Sequence, residues 1–125
     1  MKRSGWVMSW LFAAFMLAAS AAPKLLGAQV AIAPMRALGW PDQWLVLIGL
    51  IELAGTVLFL YPRTAVCGAI LLTGVLGGAM ASHLRVGSPL FSSTLFGAYL
   101  GVMMWAALWL RDDDLRRILP LGERR

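Results

Sequence analysis

Glu52 lies within Trp44–Tyr61 (WLVLIGLIELAGTVLFLY), a stretch with no other charge and the length of a bilayer crossing. An acid at that depth costs roughly 2.5–3.5 kcal/mol on insertion scales, so a partner must offset it. Lys24, His83 and Arg85 are the side chains able to supply one. Such a set suits two kinds of chemistry. Glu52 or His83 can relay protons, while Lys24 or Arg85 can polarise a carbonyl oxygen. Lys24, Glu52, His83 and Arg85 are therefore the candidate polar pocket, and no catalytic role is assigned within it. Most of them also have a plainer reading. Lys24 can snorkel to headgroups, Arg85 can anchor at the rim, and His83 beside a span end is commonly interfacial. Glu52 is too deep to snorkel easily, so its choice lies between lining a pocket and forming a purely structural buried pair.

Four apolar runs must position these groups: Trp6–Leu26, Trp44–Tyr61, Thr64–Ser82 and Phe91–Leu110. Each is near the ~20 residues a helix needs to cross the hydrocarbon. They are apolar on every face, unlike the alternating strands of a membrane barrel. The expected fold is all-α: an antiparallel four-helix transmembrane bundle in one domain, residues 1–125, with a cytoplasmic tail at 111–125. Only Pro62-Arg63 links the second and third runs, which makes them a tight hairpin, and Pro62 forbids their fusion into one helix.

Side chains on a helix lean towards its N-terminus. On an outward-running first span Lys24 leans back into the membrane, and on an inward-running second span Glu52 leans towards the outer surface. Glu52 sits about 12 Å below the outer rim and Lys24 about 27 Å from the inner one, by helix rise. The remaining gap of roughly 9 Å is within the summed reach of the two side chains. His83 and Arg85, just past the third run, lean down to the same level.

The chain is 60% hydrophobic and 14% charged, against roughly 25% charged for a soluble domain. Its net charge of +5 is not striped along a polar face, which argues against nucleic acid and leaves the lipid bilayer as the partner. The one cysteine, Cys67, excludes an internal disulfide, a CxxC pair and a cysteine zinc site, and reads as a small buried hydrophobe. A single histidine cannot supply bis-histidine ligation, so haem and metal are both disfavoured.

Lys2-Arg3, the apolar run and Ala19-Ser20-Ala21 also fit a cleavable signal peptide. Apolar character continuing through Leu25-Leu26 favours a retained first helix. Lys2, Arg3, Arg63, Arg111, Arg116, Arg117, Arg124 and Arg125 fall on one side, against Lys24, Arg36 and Arg85 on the other. That asymmetry places both termini in the cytoplasm. Asp112-Asp113-Asp114 should cap a short surface helix ending at Pro120. Gly74-Val75-Leu76-Gly77-Gly78 and Gly97-Ala98-Tyr99-Leu100-Gly101 carry four-residue glycine spacing, read as contact between spans three and four rather than as a dimer seam.

Several segments together resemble the DoxX-like family of small four-helix bacterial membrane proteins. They are Pro23-Lys24-Leu25-Leu26, Ala37-Leu38-Gly39-Trp40-Pro41, and Ile48-Gly49-Leu50-Ile51-Glu52-Leu53-Ala54-Gly55. Tyr61-Pro62-Arg63-Thr64-Ala65-Val66-Cys67-Gly68-Ala69, Thr73-Gly74-Val75-Leu76-Gly77-Gly78-Ala79, His83-Leu84-Arg85-Val86-Gly87 and Leu110-Arg111-Asp112 continue the series. The resemblance implies that Lys24 and Glu52 belong to membrane-embedded helices of a bacterial inner membrane protein. Founding members are linked to a thiosulfate:quinone oxidoreductase, so the resemblance also implies a quinone-linked redox role. Three readings stay open: a membrane subunit or small enzyme handling a quinone or similar amphiphile, a non-catalytic assembly protein, and a small proton-coupled carrier. Under the first, electrons come from a soluble redox partner or a bound cofactor. The third is the least favoured, because four short spans would need a homodimer.

Overall fold

In the computed structural model residues 2–119 are described, and among them the regular elements are all helices. They are α1 (Lys2–Leu26), α2 (Gln29–Ala37), α3 (Leu45–Leu60, after a 3-10 turn at Asp42–Trp44), α4 (Ala65–Arg85), α5 (Leu90–Arg111) and α6 (Asp113–Ile118). Four of them, α1, α3, α4 and α5, are long and apolar enough to cross a membrane. Their contacts fix an antiparallel bundle. Phe12 meets Phe59 edge-on at 5.5 Å while Ser20, two turns later, meets Glu52, so α1 and α3 run in opposite directions. Gly97 lies against Leu76 and Met80 while Trp105 reaches back to Thr73, which does the same for α4 and α5.

The core is a column of Phe12, Met16, Phe59, Leu72, Met104 and Leu108 towards one end of the bundle. Leu50, Val57, Ile70 and Val102 are exposed on the outer faces, where acyl chains replace water. With lipid offering no hydrophobic drive, close backbone approach must hold the helices together. Gly68 provides it between α4 and α3, since a Cβ there would collide with the Phe59 backbone. Gly97 provides it between α5 and α4, where a Cβ would lie 2.8 Å from the Leu76 carbonyl oxygen. The expectation that Gly74 and Gly78 seat α5 is corrected. A Cβ at Gly74, Gly77 or Gly78 meets nothing within 4 Å, because these glycines face outwards from α4. Four-residue spacing permits close approach without saying which face receives the neighbour. Cys67 is likewise exposed rather than buried.

Pro23 shapes the C-terminal end of α1. Lacking an N–H and crowding the carbonyl one turn back, it disfavours regular α-geometry just before it. The chain responds with a wider π-helical turn at Met16–Ala21, in which Ala22 N–H donates to Leu17 O, five residues back. In an α-helix positions four apart drift by about 40° per step, since each residue turns about 100°. The wide turn offsets that drift, so Phe12, Met16, Ser20 and Lys24 all stay on the face turned into the bundle. Gly27, at φ 67°, then ends α1 in a Schellman cap, with Ala28 N–H donating to Pro23 O at 3.0 Å.

α2 was not expected. It forms in the connection after α1 and ends in the same way, with Gly39 at φ 88° and Trp40 N–H donating to Met35 O. The third span continues past Ser82 to Arg85, carrying His83 and Arg85 on the helix itself. At the opposite end of the bundle Asp112 caps α6 by accepting from Asp114 N and Leu115 N. Pro120, the expected end of that helix, and Arg124 and Arg125 lie outside the described residues.

Candidate functional site

Lys24 Nζ lies 3.3 Å from both carboxylate oxygens of Glu52. The side chains are only 12% and 6% exposed, so water screens the pair little. Ser20 completes the cluster. Its hydroxyl donates to Glu52 at 3.0 Å and accepts from Lys24 Nζ at 2.8 Å, placing it as a bridge between cation and anion. Thr56, one turn along α3, returns its hydroxyl to Glu52 O at 2.7 Å.

Two cavities meet at this cluster. The first, about 210 Å³, runs along α3 and α4 and is walled by Ile48, Ile51, Gly74, Gly78 and Trp40. The second, about 250 Å³, lies between the C-terminal parts of α1 and α4 and the N-terminal part of α5, beside Ser20, His83, Ser93 and Phe96. Both are lined by Lys24 and Glu52, with Met35 and Leu38 from the α2 segment above. Together they reach the roughly 300–1,000 Å³ of small-molecule sites, with mostly apolar walls and a few convergent polar groups.

Of the four residues singled out in the sequence, Lys24 and Glu52 are brought together. His83 lines the second cavity but is engaged locally, its Nδ1 lying 3.0 Å from Ser88 Oγ. Arg85 does not join them. Its Nη2 donates to Leu38 O at 2.6 Å and packs against Gly39, so it ties the α2 segment to α4. Trp40 Nε1 adds a second tie to Ser82 Oγ at 3.1 Å. These bonds fix the roof of the site.

Sequence reasoning missed Ser20, which had figured only in a signal-cleavage pattern. Its four-residue spacing from Lys24, one helical turn, is the signal in the sequence that could have found it. Arg111 was also missed. Only 6% exposed, it stacks over Trp6 at 4.2 Å and Phe59 at 4.5 Å while donating to Phe59 O. There it caps the end of α3 and pins three helices together, far from the cavities.

No curated protein and no solved structure matches the chain. Residues 7–107, from the first turns of α1 almost to the end of α5, match the model of the DoxX-like family. With that match over most of its length, the chain belongs to the DoxX-like family.

Proposed function

We propose that this membrane protein binds the head of a neutral amphiphile, an isoprenoid quinone or a similar molecule, in the outer half of the bilayer. The observation that carries the reading is the buried Ser20–Lys24–Glu52 cluster standing where two apolar cavities meet. A cluster that served only to pin helices would need no empty volume beside it. Its net charge is zero, so a neutral head enters at the least desolvation cost. An ammonium and a hydroxyl side by side can polarise a carbonyl oxygen. The Lys24–Ser20–Glu52 hydrogen-bond sequence gives a proton a path to or from that oxygen.

In this reading the chain is a quinone-linked subunit of a bacterial inner membrane, with both termini cytoplasmic. Electrons would be supplied by a soluble redox partner or a bound cofactor, since among the described residues no group of His, Cys, Asp and Glu could hold a redox metal. The test is mass spectrometry of small molecules retained by protein extracted with its surrounding lipid. Wild type should hold a neutral carbonyl-bearing amphiphile, and Glu52→Gln and Lys24→Met should lose it. Retention of bulk phospholipid alone in all three would favour the assembly reading, in which the cluster only holds the bundle together.

A further inference from the structure

The cavity along α3 and α4 is open on its flank, and the opening lies deep in the membrane. Gly74 and Gly78 are both exposed and both line this cavity. Counting back from Arg85, they stand about 16 Å and 10 Å below the outer end of α4, bracketing the depth of Glu52. At that depth the surrounding medium is acyl chain rather than water. The gap therefore faces lipid, with bare helix backbone as its sill. Its far end is the Lys24–Glu52 pair.

Resting on the amphiphile reading above, we infer that Gly74 and Gly78 form a lateral portal through which the ligand's apolar tail lies while its head rests at Lys24 and Glu52. Three observations combine in this. The cavity joins a polar end to an apolar flank, as an amphiphile requires. The glycines that would seal the flank if they carried side chains are not used to seat a neighbouring helix. Trp40, bonded to Ser82, and Arg85, bonded to Leu38 O, tie the α2 segment across the top, so the flank is the side that these bonds leave untied. The portal selects a tail that is slim where it crosses α4. The self-neutralised pair selects a head without net charge, so a phosphate-headed lipid is a poor occupant.

The experiment uses the full chain in phosphatidylcholine nanodiscs, titrated with a decyl-substituted benzoquinone. Gly74→Leu and Gly78→Leu fill the portal, and since a Cβ at either position meets nothing within 4 Å, the fold should be kept, as unchanged melting would show. Gly77→Leu is the matched control: also exposed and open, but not lining the cavity. Portal variants should weaken binding at least tenfold and Gly77→Leu should not. A brominated-tail phosphatidylcholine should fail to displace the benzoquinone. Tight binding to wild type, weakened by Glu52→Gln but untouched by Gly74→Leu and Gly78→Leu, would overturn the portal and leave the site reading standing. No binding to wild type would overturn both. Loss of a dimer in all three leucine variants, with binding unchanged, would reassign this face to a contact between copies of the chain.

Discussion

Removing the Glu52 carboxylate and removing only its charge are different perturbations of the same position. Glu52→Leu leaves the buried Lys24 ammonium with only the Ser20 hydroxyl and carbonyl and no counter-charge, and breaking a buried pair in this way costs about 3–5 kcal/mol. Glu52→Gln keeps an acceptor for Ser20, so its loss should be nearer ~1–2 kcal/mol. Melting of both variants in mild detergent checks the order, and equal stability of wild type and Glu52→Leu would show that the pair does not hold the bundle. Ser20→Ala deletes the bridge between the two charges and should cost about 1–2 kcal/mol in the same assay. The pairing of Lys24 with Glu52 was legible because depth and lean are fixed by helix geometry. The local engagement of His83 and Arg85 was not, since Ser88 Oγ and Leu38 O are partners that only the folded connections bring within reach.

Glycine position, rather than glycine number, decides which helices close together. Gly97→Leu places a side chain against the Leu76 backbone and should separate α5 from α4, lowering the melting temperature sharply. Gly77→Leu should leave it unchanged, and a thermal-shift comparison of the two reads this directly. The four spans were legible to within a few residues, because an apolar run of bilayer length admits little else. α2 was not, since Gln29–Ala37 is short and contains Pro34. The π-helical turn answers a steric demand of Pro23 that hydropathy does not record. The tail helix, by contrast, announced itself through its acidic cap. Asp113 joins it to the start of α1 through Lys2 at 2.8 Å. The Lys2 ammonium, with Arg116 and Arg117 nearby, holds the Asp113 carboxyl below the usual aspartate range. A lowered folded-state pKa contributes stability above the ordinary value near 4, lost as pH falls through the lowered one. Cross-linking of residue 2 to residue 113 should therefore be efficient at pH 7 and fall away below about pH 4.

For the whole molecule, the asymmetry of basic residues predicts the direction of insertion. In a Cys67→Ser background, Arg63→Cys in the turn between α3 and α4 should react with a membrane-impermeant maleimide in inside-out vesicles and not in intact cells. Labelling in intact cells would reverse the orientation and put the cavities on the cytoplasmic side. The family match speaks to architecture over most of the chain, while the cavities and their polar cluster come from the folded arrangement alone.

The two charged members of that cluster are 28 residues apart in sequence. At ribosomal speeds of about 5–20 residues per second, the lysine leaves the tunnel some ~1–6 s before its counter-ion does. With both termini cytoplasmic, as the basic-residue asymmetry predicts, the leading helix would in that interval carry an uncompensated cation to the far leaflet, against the rule that favours keeping positive charge inside. Biogenesis of this protein is thus expected to hinge on how long the insertion machinery shelters the first spanning segment until the second, α3, arrives.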